Sequence, residues 1–400
     1  MDFDCIVIGA GLSGLTASRN LQRYGKSVLL IESENEVGGR VRSDLVDGYI
    51  LDRGFQVINP KYPQVKKSGV IKSIDFRKIS GSIRLDDEGI NVGYALGSIS
   101  NKSGPISEKL KFIEFVYSKK VSNTHNFGLY TSNFPNFYQK VLNPFLTGVF
   151  LTNPKDIAAD VVQEILKSFI RSLPGIPAKG VGEFSKALAK PIKNLRLNES
   201  VENISKNRVV TVSGQYTARF IVVAAGPIVS DELLKKTTQI KMLSSTTLYF
   251  STDETLVDAS NLVISKGSKL VNSIVISEVS KKYAPIGQSL ISATSLKDLS
   301  ESEFRIELSK IWKSDANNWN HVARYEVKNS LPLHSPGKNR YPNLQLDDWL
   351  FTIGDHMSIP SQQGAMESGA LVAEKINQLM QQGHQKQMKN QNQILRLLKL

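Results

Sequence analysis

The stretch Asp4-Cys-Ile-Val-Ile-Gly-Ala-Gly-Leu-Ser-Gly14 near the start of the chain decides the fold. Its apolar run, Cys5–Ile8, predicts a parallel strand that is buried on both faces. Gly9, Gly11 and Gly14 follow at once in the spacing G-x-G-x-x-G. In this spacing the first glycine allows a tight turn, the second lets the backbone approach a pyrophosphate, and the third lets the next helix pack closely on the strand. The stretch therefore predicts a dinucleotide-binding turn.

The residues after this turn extend the pattern. A helical segment, Ser13–Tyr24, is followed by a second apolar strand, Val28–Ile31, which ends at Glu32. A helix N-terminus at this place directs N–H groups and the positive end of the helix dipole towards a bound phosphate. A carboxylate at position 32 can accept hydrogen bonds from ribose hydroxyls, and it would repel a 2′-phosphate. The predicted nucleotide is therefore an adenosine diphosphate without that phosphate.

A second glycine segment, Gly38-Gly39-Arg40, follows the acid, with Arg42 two residues further on. Adjacent glycines let the main chain pass close to a bulky ligand, and a guanidinium group can neutralise phosphate charge. This segment resembles the second glycine motif of the flavin-containing amine oxidoreductase superfamily, which includes amine oxidases, protoporphyrinogen oxidase and phytoene-desaturase-like enzymes. The resemblance implies FAD, with this doublet and its arginine beside the pyrophosphate and flavin.

Three later segments resemble the same superfamily. Asp52-Arg-Gly54-Phe55-Gln56 resembles a D-x-G segment that runs near the isoalloxazine. Val201 matches a position whose backbone meets the adenine. Gly354-Asp355 and Gln363-Gly364-Ala365 resemble the C-terminal flavin motif, in which the aspartate holds ribityl or phosphate oxygens and a helix begins at the flavin. Small residues at 364, 365 and 369 are expected to let that helix lie against a ring system.

The resemblance carries the site prediction. The predicted FAD-binding residues are Gly9, Gly11, Leu12, Ser13, Gly14, Glu32, Gly38, Gly39, Arg40, Gly54, Phe55, Val201, Gly354, Asp355, Gln363, Gly364 and Ala365. Gln56 and His334 are candidates for the substrate side, the alternatives being a strand amide bonded to backbone and a structural histidine. We predict no metal and name no catalytic side chain, because hydride transfer to a flavin does not require one. FAD is expected to be non-covalent, because the single cysteine, Cys5, falls inside the first strand.

The predicted fold class is α/β (mixed α+β), with a discontinuous Rossmann-type FAD-binding domain and a sheet-plus-helix substrate domain, as in amine oxidase-like flavoproteins. Residues 1–95, 190–238 and 338–380 are predicted to form the FAD-binding domain. Residues 96–189 and 239–337 are predicted to form the substrate domain, and 381–400 a disordered basic tail. The segment 112–150 is rich in aromatic residues, which either fill a core or line an apolar pocket.

Composition excludes several classes of protein. One cysteine in 400 residues rules out an intrachain disulfide framework and a cysteine metal cluster. No apolar run reaches the length of a membrane span, and no signal-like segment precedes the first strand, so we expect a cytoplasmic protein. The formal net charge is +13. Because the lysines are scattered and no nucleic-acid motif occurs, we expect either a generally basic surface or peripheral contact with an anionic membrane, and no nucleic acid.

Three interpretations of the activity stay open. The first is an FAD-dependent dehydrogenase or desaturase that removes hydride from a C–C or C–N bond of a lipophilic small molecule and passes the electrons to an acceptor. The second is an amine oxidase that uses oxygen. The third is a flavin-free regulator of the same fold that resembles the GDP-dissociation inhibitors. The intact glycine motifs, Glu32 and Gly354-Asp355 argue against the third.

Overall fold

The computed structural model describes residues 1–93, 96–119, 121–236, 240–340 and 342–397. The strands are β1 (Phe3–Ile8), β2 (Val28–Ile31), β3 (Ser43–Val46), β4 (Tyr49–Asp52), β5 (Phe76–Lys78), β6 (Ser82–Leu85), β7 (Ile90–Gly93), β8 (Gly175–Pro177), β9 (Asn194–Arg196), β10 (Val201–Ser205), β11 (Arg208–Thr211), β12 (Gly214–Val223), β13 (Met242–Thr252), β14 (Leu262–Ile264), β15 (Leu270–Val275), β16 (Ser289–Ser295), β17 (Asn320–Pro332) and β18 (Leu350–Thr352). The helices are α1 (Leu12–Arg23), α2 (Pro63–Ser68), α3 (Ile106–Tyr117), α4 (Gly128–Thr131), α5 (Pro135–Phe137), α6 (Asn143–Phe150), α7 (Ala159–Arg171), α8 (Gly182–Ala189), α9 (Pro227–Leu234), α10 (Ile276–Val279), α11 (Glu301–Trp312) and α12 (Gln362–Leu397).

The chain divides into two compact units. The first unit comprises Met1–Gly39, Leu188–Thr238 and Arg340–Leu400, and the second comprises Arg40–Ala187 and Gln239–Asn339. The sequence predicts residues 40–95 as part of the first unit, whereas the described residues of this segment, 40–93, fall in the second. The reason is strand pairing: β6 pairs in parallel with β14, so this segment belongs to the sheet of the second unit.

A mostly parallel sheet forms the centre of the first unit. Its order is β10-β11-β12-β1-β2-β9, with β18 beside β12. The predicted first strand is confirmed: Cys5 to Ile8 are buried and pair in parallel with both β2 and β12. Burial also raises the pKa of the Cys5 thiol. Because the thiolate is the reactive form, this buried cysteine is unsuited to a covalent link.

Helices α1 and α12 of the first unit pack together at a glycine. A Cβ atom added to Gly369 would lie 2.2 Å from the carbonyl oxygen of Ser13 and 3.1 Å from the backbone nitrogen of Ala17. The sequence predicts that Gly369 leaves room for a ring system. In the structure, Gly369 instead allows α1 and α12 to approach each other closely.

We expect Gly369→Ala to destabilise the first unit by about 2 kcal/mol, because the added methyl group overpacks this contact. Urea unfolding measures the change. Gly214→Ala is the matched control in the same unit, because a Cβ there has no heavy atom within 4 Å. Equal stability of the two variants would contradict the prediction.

The second unit is built on a mostly antiparallel sheet covered by a helix. The sheet order is β17-β13-β16-β15-β14-β6-β7. The sequence pattern predicts a hairpin of residues 81–85 with 89–93, and the antiparallel pairing of β6 and β7 confirms it. Helix α11 begins with a capping box formed by Ser300 and Glu303. It places Phe304, Leu308 and Trp312 in the main core of this unit.

The aromatic-rich segment of the second unit is largely core. The rings of Phe112, Phe115, Phe127 and Phe134 are buried and contact one another, with centroids 5.3–6.3 Å apart. Of the two predicted alternatives, core packing therefore describes these four residues. The sequence pattern predicts helices over about 107–118 and 158–172, and α3 and α7 begin and end within one residue of these limits.

The end of the chain differs from its prediction. The sequence predicts disorder from residue 381, but α12 continues to Leu397. A helix that is already nucleated needs only one further hydrogen bond per residue, and the glutamines, lysines and leucines of this segment are good helix formers. Across the described ranges, no helix is both long enough and apolar enough to cross a bilayer.

Candidate functional site

The first and third glycines of the opening motif are required by the turn itself. Gly9 has a φ angle of +100°, and a Cβ there would lie 2.6 Å from the carbonyl oxygen of Ala224. A Cβ on Gly14 would lie 1.9 Å from the carbonyl oxygen of Gly9. Any larger residue at either position would displace the strand–turn–helix junction. Both glycines therefore have the roles that the sequence predicts.

Gly11 differs, because the protein itself does not need a glycine there. It is the N-cap of α1, its φ angle is −69°, and a Cβ would have no heavy atom within 4 Å. Within α1, all of which is described, no side chain caps the first turn and no acid lies in it. Leu12, Ser13 and Gly14 thus open a helix whose first turn holds no acidic side chain of its own, an arrangement that suits a phosphate.

Glu32 is fixed beside this turn. It is buried at the end of β2, and its Oε2 accepts a hydrogen bond from the backbone nitrogen of Ala10 at 2.7 Å. Its Oε1 accepts hydrogen bonds from the backbone of Glu34 and the hydroxyl of Ser33. A carboxylate can accept about four hydrogen bonds, so capacity is left for ribose hydroxyls.

The second glycine motif lies directly against the first. Gly38 and Gly11 form a parallel bridge, and the nitrogen of Gly38 donates to the carbonyl oxygen of Ala10 at 2.9 Å. A Cβ on Gly39 would lie 3.4 Å from the Cα of Gly11. The two motifs, 27 residues apart in sequence, therefore form one glycine-lined surface in the first unit.

Val201 begins β10 close to the same surface. The backbone nitrogen of Glu199, two residues earlier, donates to the carbonyl oxygen of Glu32 at 2.9 Å. Hydrogen bonds from Ser213 and Thr211 lower the pKa of Glu199 and fix the β10–β11 hairpin. Glu199 is not among the residues that the sequence predicts for this surface, although it stands only two residues before Val201.

The C-terminal motif, Gly354-Asp355, is held in place by a hydrogen bond to α12. Gly354, with a φ angle of +153°, donates its N–H to the Ser368 hydroxyl at 3.0 Å, and Asp355 is buried. A Cβ on Gly364 would lie 1.9 Å from the carbonyl oxygen of Ile359. Gly364 is thus needed by the turn before the helix, and its N–H donates to Ser361. Gln363 is buried and Ala365 is half-buried beside this turn.

Four predicted residues, between positions 40 and 56, lie in the second unit. Nη1 of Arg40 donates to the carbonyl oxygen of Ser330 at 2.7 Å. Nε2 of Gln56 donates to the carbonyl oxygens of Arg40 and Arg53 at 2.7 and 3.2 Å. This matches the predicted alternative of an amide bonded to backbone, although Gln56 lies after the end of β4 and not within a strand. Gly54 has a φ angle of +86°, and its Cβ position has only ordinary contacts. Phe55, next to it, is half-buried.

His334 lies in the interior of the second unit. Its side chain is 2% exposed, and its carbonyl oxygen accepts a hydrogen bond from the nitrogen of Ala158 at 3.4 Å. Among the residues that the structure describes, no group of three His, Cys, Asp or Glu side chains is arranged to hold a metal ion.

Asp52 forms a buried cluster that sequence reasoning missed. Its Oδ1 accepts hydrogen bonds from Ser43 and from the nitrogen of Val181, and its Oδ2 accepts one from Tyr283. The hydroxyl of Tyr249 donates to its carbonyl oxygen at 2.8 Å. Burial raises the pKa of Asp52 to about 6 against the effect of these hydrogen bonds. The cluster fixes the chain immediately before Gly54.

Two family models match this chain. A model described as NAD(P)-binding Rossmann-like domain matches residues 7–68. A model described as flavin containing amine oxidoreductase matches residues 125–377, which is more than half of the chain.

The chain is also similar to characterised proteins. An L-amino acid dehydrogenase of Synechocystis is 50% identical over 58 residues, which are 14% of this chain and 12% of that relative. Protoporphyrinogen oxidase 2 of Arabidopsis thaliana is 31% identical over 143 residues, which are 35% of this chain and 23% of that relative. The matched segments therefore span less than a quarter of either relative.

Similarity to solved structures extends over nearly the whole fold. The crystal structure of an oxidoreductase from Methanosarcina mazei superposes with a TM-score of 0.76 at 15% identity, covering 92% of this chain and 99% of that one. The predicted mixed α/β fold of amine oxidase-like flavoproteins is confirmed. Together with the family match, these findings show that the chain belongs to the flavin containing amine oxidoreductase family, a family of FAD-dependent oxidoreductases.

Proposed function

We propose that the protein is an FAD-dependent oxidoreductase that removes a hydride from a C–C or C–N bond of a lipophilic small molecule. The observation that carries the proposal is the continuous glycine surface of Gly11, Gly38 and Gly39 between the uncapped start of α1 and the fixed carboxylate of Glu32. Its donors and acceptors suit a pyrophosphate at the helix and a ribose at the acid.

The proposal gives several of the predicted residues a part in holding FAD. In the proposal, Leu12 and Ser13 offer backbone N–H groups to the pyrophosphate, and Glu32 accepts from the adenosine ribose. In the same proposal the backbone of Val201 would meet the adenine, and Asp355 with the start of α12 would hold the other half of the cofactor. When bound, FAD supplies a hydride acceptor at its N5 atom, and the chain orients the substrate and excludes water.

The lengths of the matches to relatives support a lipophilic substrate over an amine. Among those described here, the longer match is to an enzyme named for protoporphyrinogen, over 35% of this chain. The alternative, an oxidase of amines, is favoured by the family description. The L-amino acid dehydrogenase match, which covers 14% of this chain, favours an amine-bearing substrate only, because a dehydrogenase is not named for oxygen as its acceptor. The net charge of +13 is consistent with a cytoplasmic protein that meets anionic membranes peripherally.

The reoxidation rate of the photoreduced protein separates these two functions. The purified protein is loaded with FAD, reduced by light without oxygen, and mixed with oxygen while the flavin absorbance band is followed. We expect slow return of the band with oxygen and faster return with a quinone. Fast return that scales with oxygen would overturn the first function in favour of an amine oxidase.

We expect Glu32→Gln to weaken FAD binding about tenfold, because an amide has one acceptor oxygen where the carboxylate has two, and loses a charge-assisted hydrogen bond. Fluorescence titration of the FAD-free protein with FAD measures the change. Glu34→Gln is the control, because Glu34 is exposed. If Glu32→Gln binds FAD as tightly as the control does, Glu32 does not hold the ribose.

A further inference from the structure

Helix α3 of the second unit has two apolar faces. One is buried and consists of Phe112, Phe115 and Val116. The other is exposed to solvent, with 45–66% of each residue accessible, and consists of Ile106, Leu110, Ile113 and Tyr117. We call these four residues the α3 stripe. The buried face already provides the contacts that hold the helix on the unit, so the fold does not account for the stripe.

The stripe is a regular feature of the helix. Its members stand at i, i+4, i+7 and i+11, which places them within an arc of about 60° and along about 16 Å of the helix axis. Large apolar side chains that are scattered singly on a surface are ordinary, whereas a contiguous row marks an interaction site.

The charges around the stripe indicate its partner. Exposed Lys102 and Lys119 stand before and after the helix. On the helix itself, Lys111 is paired with Glu114 at 3.6 Å, so this pair adds no net charge beside the stripe. Lysines at both ends of an apolar row suit a lipid surface, where the apolar side chains enter the acyl boundary and the ammonium groups meet anionic headgroups. Tyr117 adds a ring that is apolar with a polar tip, as membrane interfaces favour.

A second copy of the chain is a poorer partner. A twofold axis at the stripe would bring the same lysines of two copies together, which is unfavourable. A row of four side chains is also small beside the area that a stable dimer buries.

We propose that the α3 stripe docks the protein on an anionic membrane surface, with α3 lying in the plane of the interface. The inference does not depend on the bound cofactor or on the reaction. The chain is basic, and no helix in its described ranges is able to span a membrane. The α3 stripe is the face by which it would reach a membrane surface.

Vesicle sedimentation with the full chain tests the proposal. One set of vesicles is phosphatidylcholine alone, and the other contains phosphatidylserine as well. We expect the wild type to sediment with the second set only, and the double change Leu110→Gln with Ile113→Gln to lower its partition at least about tenfold. Lys102→Gln and Lys119→Gln should each lower the partition about fivefold in low salt. Ile306→Gln on α11 is the matched control, because Ile306 is similarly exposed.

The outcomes separate this proposal from the proposed function. Because Leu110 and Ile113 are exposed, the double variant should keep its unfolding midpoint and its flavin absorbance. Failure of the wild type to sediment with anionic vesicles would overturn the proposal, as would equal sedimentation of the double variant and the Ile306→Gln control. Concentration-dependent dimers that the double variant loses would assign the stripe to a second copy and overturn the lipid assignment.

Discussion

Gly11→Ala should lower the affinity for FAD about 100-fold while leaving the protein nearly as stable as the wild type. The methyl group has no heavy atom of the chain within 4 Å, and the φ angle of −69° is open to alanine. In the proposed site it occupies the space through which the pyrophosphate approaches the start of α1. Loss of two hydrogen bonds to a charged group amounts to about 3 kcal/mol.

Gly14→Ala is the informative companion to this change. Its methyl group would lie 1.9 Å from the carbonyl oxygen of Gly9, so we expect it to lose both FAD affinity and stability. FAD titration and urea unfolding of the two variants together distinguish a ligand contact from a packing contact. If Gly11→Ala bound FAD like the wild type, the pyrophosphate would not lie at this turn.

Asp52→Ala should destabilise the second unit by about 4 kcal/mol. The change leaves Ser43, Val181 and Tyr283 without the carboxylate that accepts their hydrogen bonds, and buried donors without acceptors each cost about 1–3 kcal/mol. Asp52→Asn should be tolerated, because its amide oxygen can accept from Ser43 and Val181 while its nitrogen donates to the hydroxyl oxygen of Tyr283. Urea unfolding at neutral pH measures both variants.

The raised pKa of Asp52 also predicts how the stability of the protein changes with pH. Because burial raises the pKa of Asp52 from 3.8 to about 6, the folded state holds this proton over a range in which the unfolded state has released it. The contribution of Asp52 to stability is therefore fully present below pH ~4 and is lost as the pH rises through ~6, by about 3 kcal/mol. The stability of Asp52→Asn relative to the wild type should rise by that amount over this range.

Asp75→Asn provides a control of opposite sign. Hydrogen bonds from Arg77 and Lys282 lower the pKa of Asp75, so its contribution is present above its unfolded pKa and lost as the pH falls. Relative to the wild type, Asp75→Asn should thus lose stability as the pH rises. If Asp52→Asn showed the same trend as Asp75→Asn, the assigned state of the buried carboxyl would be wrong.

The parts of the site that the sequence predicts are those encoded by local spacing. Gly9, Gly14 and Glu32 follow one another within a strand–turn–helix–strand unit, and each has the geometry that its spacing implies. The strand and helix limits of this unit are also close to their predictions, because a buried parallel strand and an amphipathic helix have distinct periodicities.

The parts that sequence reasoning missed depend on distant partners. Gly369 is small because α1, more than 300 residues earlier, lies against it. The donors to Asp52 come from Ser43, Val181 and Tyr283, which no spacing rule connects. The sequence does not show that residues 40–93 belong with the second unit, because the pairing of β6 with β14 is likewise a long-range contact.

The most direct test of the central claim is the absorbance spectrum of the purified chain after it is loaded with FAD and desalted. The account predicts that about one FAD per chain stays bound, and that the flavin band bleaches on anaerobic photoreduction and returns with an acceptor. A folded protein that stays colourless after loading would contradict the account and would favour a flavin-free regulator of the same fold.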